Sequence, residues 1–93
     1  MTGSHTVARE VVVYGRVQGV GFRLYCQQQA ERQRLAGWVT NEPDGSVHAW
    51  FEGPSEQVEA MLTWCEQGPP SARVERVDVA ERDPRGVDRF EVR

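Results

Sequence analysis

After a short start with no apolar pattern, the chain opens on a hydrophobic run. Val11, Val12, Val13 and Tyr14 are consecutive, which predicts a strand over 7–14 buried on both faces and central in its sheet. The stretch Gly15-Arg16-Val17-Gln18-Gly19-Val20-Gly21 then places three glycines in seven residues, the mark of a tight loop. From Phe22 to about Arg34, apolar residues recur at Phe22, Tyr25, Cys26 and Ala30, which is helical spacing with a polar outer face. Ala36 to Asn41 and Ser46 to Gly53 read as strands, joined by the turn Glu42-Pro43-Asp44-Gly45. In the second of them Val47, Ala49 and Phe51 alternate with His48, Trp50 and Glu52, so one face is expected to be buried more deeply.

A second helix is expected from Gly53-Pro54-Ser55-Glu56 onward, with Ser55 as N-cap and Glu56 complementing the dipole. Its stripe is Val58, Met61, Leu62 and Cys65, and Gly68-Pro69-Pro70 stops it. Arg73 to Ala80 alternates less regularly through Val74, Val77 and Val79 and reads as a strand. Val87 to Val92 is a short terminal strand after the turn Asp83-Pro84-Arg85-Gly86. The order is therefore βαββαβ plus a short last strand. Right-handed crossovers put both helices on one face. The economical solution is an α+β, ferredoxin-like split βαβ sandwich, with two helices on one face of an antiparallel sheet. At 93 residues the chain is expected to form a single domain over 7–93, with 1–6 frayed.

Composition narrows the function classes. The formal net charge is −3, which argues against a general nucleic-acid or membrane-surface binder. No apolar run reaches membrane-spanning length and no signal-peptide pattern is present, so the expected compartment is the cytoplasm. Cys26 and Cys65 form no metal-type pair, and both fall on helical apolar stripes, which predicts buried free thiols. All 11 basic residues are arginine, and Lys and Ile are absent, as a G/C-rich genome would produce. Against that background the chain holds one asparagine, Asn41.

The glycine loop leads from the first strand into the first helix. Successive amides in such a loop can converge on an anion, and the helix N-terminus adds positive potential. Arg23 stands in the first helical turn, where the macrodipole gives a cation no benefit. An anion between loop and arginine would account for it, since a guanidinium can bind two phosphate oxygens at once. A glycine-rich turn beside a solvated arginine fits the same residues.

The run Val13-Tyr14-Gly15-Arg16-Val17-Gln18-Gly19-Val20-Gly21-Phe22-Arg23 resembles the first signature of the acylphosphatase family. Gly37-Trp38-Val39-Thr40-Asn41, followed by Gly45-Ser46-Val47 and Gly53, resembles the second, and the likeness runs on to Phe90-Glu91-Val92-Arg93. The resemblance implies an enzyme that hydrolyses the carboxyl-phosphate bond of acyl phosphates. It implies Arg23 as the phosphate-binding arginine, the amides of Arg16, Val17, Gln18, Gly19 and Val20 as the cradle, and Asn41 as the residue that positions water. Parity agrees, because Gly37, Val39 and Asn41 share one strand face. Two positions depart from the family pattern. Thr40 replaces a longer, frequently basic side chain, and Gly21 replaces a bulkier residue, which implies a looser loop exit. No cofactor and no metal are expected; the partner is a small-molecule acyl phosphate, with no nucleic acid and no membrane, and the chain is expected to be a monomer.

Asn41 also suits a turn-initiating role before Glu42-Pro43. His48 is expected on the sheet face away from the core, and His5 in the frayed start. Trp38, Trp50 and Trp64 are expected as packing or surface aromatics. Glu56, Glu59 and Glu66 are expected on a solvated helix face, with Asp44 in the turn. The competing class is a non-catalytic ferredoxin-like module that binds RNA or another anion. It lacks support here, because the chain carries no basic RNP-type pattern.

Overall fold

The computed structural model describes residues 5–93. The expected fray over 1–6 falls mostly on residues 1–4, outside the described residues; the first strand, β1, spans Thr6–Arg16. The other elements are α1 (Phe22–Arg32), β2 (Ala36–Asn41), β3 (Val47–Pro54), α2 (Ser55–Gln67), β4 (Arg73–Arg82) and β5 (Phe90–Val92). Both helices pack on one face of a five-stranded sheet of order β4-β1-β3-β2-β5.

In β1, Val11 and Val13 are fully buried beneath the helices, while Val12 and Tyr14 are half-buried on the other face. The expectation of burial on both faces therefore holds for one face only, although β1 is an inner strand. The helices close the core with Phe22, Cys26 and Ala30 from α1 and Val58, Met61 and Cys65 from α2. Only the i, i+4 line of α1 faces the sheet. Tyr25, expected in that stripe, is exposed beside Gly21. α1 also ends short of Arg34, which takes a left-handed φ of 59° and cannot continue a helix. Ser55 is the first residue of α2 rather than its cap. The N-cap is Pro54, which makes no side-chain cap bond, and the Ser55 amide donates to the His5 carbonyl at 3.0 Å. β3 thus runs straight into α2, and the segment before β1 satisfies one of the helix's free donors.

The sheet is mixed, not antiparallel throughout: β1–β3, β1–β4 and β2–β3 are antiparallel, and β2–β5 is parallel. The cause lies in where β4 ends. Ala8 pairs with both Arg82 and Glu52, and Ala36 pairs with Glu52, so β4 finishes at the sheet end where β2 begins. A chain crossing that end directly must start β5 in the direction of β2. The crossing segment, 83–89, also lengthens the connector at the expense of the expected strand over 87–92.

Two irregularities follow from the same architecture. Tyr14 pairs with Arg76 but Gly15 with Val74, so Glu75 is the extra residue of a bulge. That bulge lets Val74 and Val77, which differ in parity, both pack against the core, and it explains the uneven alternation. In β3 the expected contrast between faces fails at its second half. Trp50 is 2 % exposed and Glu52 4 % exposed, because the connector covers them. Glu52 Oε1 accepts from the Arg85 amide and Trp50 Nε1, both at 2.9 Å, and Oε2 accepts from the Gly86 amide at 2.7 Å.

Candidate active site

At the opposite sheet end, β1 passes through the loop 17–21 into α1. Gly21 is the N-cap of α1 with φ 78° and ψ 16°, a left-handed conformation that glycine adopts without strain. The glycine that suggested a looser exit therefore relieves strain at that exit. Among the described residues, no amide from 17 to 21 donates to a main-chain oxygen outside the regular elements. The loop is held instead by a side chain. Gln18 Nε2 donates to the Glu42 carbonyl at 2.7 Å and to the Ser46 carbonyl at 2.9 Å.

Those two carbonyls belong to the turn between β2 and β3, which has its own bonds. Glu42 N donates to Ser46 O, Gly45 N donates to Glu42 O, and Asp44 Oδ1 accepts from the amide and hydroxyl of Ser46 at 2.9 and 2.6 Å. The Ser46 donors hold the Asp44 carboxyl below its ordinary range. Gln18 thus ties the glycine loop to the turn that follows Asn41, although the sequence suggested a role for its amide alone. The visible signal was a lone amide side chain inside a run of Gly and Val.

A groove of about 340 Å³ opens where loop, α1, β2 and β5 meet. Val17, Gly19, Gly21, Arg23 and Asn41 line it, so loop, arginine and asparagine share one cleft. Arg16, Gln18 and Val20 are not in its lining. Arg16 is exposed at the end of β1, Gln18 turns to the clasp, and Val20 packs partly on the core. Asn41 reaches the groove for the reason parity suggested: Val39, two residues earlier, is fully buried under the helices. Arg23 Nη1 donates to the main-chain oxygen of Arg93 at 2.7 Å, which fixes one arm of the fork. Leu24 and Val92 also line the groove, and the sequence had marked neither as a site residue.

Other candidates lie elsewhere. His48 is on the outer sheet face, between Glu10 (Nε2–Oε2 2.7 Å) and Glu42 (Nδ1–Oε2 3.3 Å). The His48 bond, helped by Arg82, holds the Glu10 carboxyl below its ordinary range. Trp64 meets Phe22 edge-on at 5.3 Å within the core, and Trp38 lies against His48 on the outer face. Glu56, Glu59 and Glu66 are exposed on α2. Cys26 and Cys65 are free and buried; burial raises both thiols, Cys65 to about 12.

These features define a split βαβ sandwich whose polar side chains converge on the loop between first strand and first helix. The family model described as Acylphosphatase matches residues 9–92. An acylphosphatase of Natronomonas pharaonis is 51 % identical over 90 residues, covering 97 % of this chain and 98 % of that one. Among solved structures, an acylphosphatase from Coxiella burnetii superposes with a TM-score of 0.93 at 34 % identity, covering 100 % of both chains. One from Bacillus subtilis gives 0.89 at 38 % identity, covering 92 % of this chain and 97 % of that one. The chain belongs to the acylphosphatase family.

Proposed function

We propose that this protein hydrolyses acyl phosphates to a carboxylate and inorganic phosphate in the groove between the 17–21 loop, Arg23 and Asn41. The observation that carries the site is the shared lining: Gly19, Arg23 and Asn41 border one cleft although they come from loop, helix and strand. Family membership carries the reaction class.

The chemistry asks little of the protein beyond position and charge. A carboxylate is already a good leaving group, and phosphoryl transfer depends mainly on alignment and electrostatic stabilisation. Of the loop amides from Arg16 to Val20, those of the groove-lining Val17 and Gly19 foremost, together with the free arm of Arg23, hold the phosphoryl oxygens and stabilise charge building on them. Asn41 carries both a donor and an acceptor, so it orients water for in-line attack on phosphorus but does not act as a base. The bond from phosphorus to the carboxylate oxygen breaks, and the water's proton passes to a phosphate oxygen.

The protein acts in the cytoplasm as a monomer on a small molecule, not on nucleic acid. The outer sheet face, where a ferredoxin-like RNA binder stacks bases, is occupied by the protein's own guanidinium groups. Arg76, Arg85 and Arg93 lie 4.2, 4.3 and 5.0 Å over the rings of Tyr14, Trp50 and Trp38. Phosphate release from benzoyl phosphate in the presence of a chelator tests the function. Release is expected, with phosphate monoesters poor substrates; activity restricted to monoesters, or restored only by added magnesium, would refute the mechanism.

A further inference from the structure

Most of the large apolar side chains near the groove are core residues, but two are not. Leu24 is 57 % exposed and Val92 41 % exposed, and both line the cleft that holds Arg23 and Asn41. Five large apolar residues are exposed among the described residues, so two of the five converge on one cleft. Single exposed apolar residues need no explanation; a pair at the mouth of a polar site does. Leu24 follows Arg23 in the first turn of α1, and Val92 sits on β5 beside the Arg93 oxygen that holds Arg23. Beneath them the groove is floored by Val17 and Phe22, which are 1 % and 2 % exposed. The cleft therefore joins polar groups, from Gly19, Arg23, Gln27 and Asn41, to an apolar lip of Leu24 and Val92.

We propose that Leu24 and Val92 form the subsite for the acyl group and select acyl phosphates with an extended apolar or aromatic acyl chain. This rests on the acyl-phosphate reading of the groove. With phosphate on the polar groups, the acyl carbon chain has the exposed side chains of Leu24 and Val92 within the same cleft to pack against. Each methylene that reaches Leu24 and Val92 leaves water, and so do the side chains it covers. An acyl group bearing a second charge would have to be desolvated against those same side chains, with no charged partner among Leu24, Gln27 and Val92. Discrimination falls on kcat/KM, since burial of the chain is retained in the transition state.

A straight-chain series from acetyl to butyryl to hexanoyl phosphate tests this, because the leaving carboxylates have nearly the same basicity. In the unaltered protein, kcat/KM should rise about twofold to fourfold per added methylene, the scale of partial to full burial of one such group. The double variant Leu24→Gln, Val92→Thr keeps volume and local conformational preference while making the lip polar. It should lose the dependence on chain length, and inhibition by inorganic phosphate should stay as before. A melting curve for the variant verifies its fold. A flat series in the unaltered protein, or a slope that survives in a folded double variant, overturns the subsite while leaving acyl-phosphate hydrolysis intact. Failure to hydrolyse any member, acetyl phosphate included, overturns the parent reading and the subsite with it.

Discussion

Arg23 and Asn41 divide the proposed chemistry between binding and alignment, and their variants should separate the two. Arg23 already spends Nη1 on the Arg93 oxygen, so only a forked cation can hold that contact and a phosphoryl group together. Arg23→Lys should lower kcat/KM roughly 10- to 100-fold, the scale of one charge-assisted hydrogen bond, and weaken competitive inhibition by phosphate. Asn41→Ala should leave phosphate inhibition nearly unchanged while kcat falls on the order of a hundredfold, as for loss of a positioning group. Steady-state kinetics with phosphate as inhibitor read both, and near-normal kinetics from either folded variant would remove that residue from its role. The places of both residues at the cleft were legible in the sequence because they are local, whereas their roles came from the family resemblance. Arg23 is fixed by the start of a helix, and Asn41 by alternation along a strand whose neighbour Val39 is plainly core. Leu24 and Val92 were not legible, since nothing in a linear pattern says that a helix turn and a terminal strand will border the same cleft.

Between elements, two side chains act as clasps, and the partners of neither were visible from pattern alone. Gln18 reaches carbonyls 24 and 28 residues away, and Glu52 gathers amides 33 and 34 residues away, so their partners depend on the assembled sheet. Gln18 is a donor facing two acceptors. Gln18→Ala should raise KM and lower kcat by loosening the loop, and Gln18→Glu should be worse, since it sets a carboxylate against two carbonyl oxygens. Thermal melts and kinetics on both variants check that order; equal effects would mean that the clasp adds only bulk. For Glu52, burial raises the carboxyl, but donors from Arg85, Trp50, Gly86 and Val87 outweigh it, and the net shift is downward. A depressed carboxyl contributes stability that is present above its unfolded pKa and lost as pH falls through its folded one. Glu52→Gln should therefore cost about 1–3 kcal/mol near neutrality and flatten the acid limb of Tm against pH below about pH 4.5. An unchanged acid limb would assign acid sensitivity to other carboxylates, Glu10 foremost.

Across the whole molecule, the element order and the two-helix, one-sheet layering follow from periodicity and right-handed crossovers, and they are what the structure shows. The direction of β5 does not follow from them. It depends on which sheet end β4 reaches, a matter of register that no local pattern encodes. The strand order has a further consequence, for the time the chain needs to reach this state. Of the four neighbouring strand pairs, only β2–β3 joins consecutive strands through a short turn, while β1 must find partners in β3 and, past α2, in β4. Each of those pairings closes a long loop before it gains a single ladder bond, and the chain entropy lost is recovered late. Refolding should accordingly occupy the millisecond-to-second range rather than the microseconds of a helical bundle, with the barrier set by docking of β1 and β4.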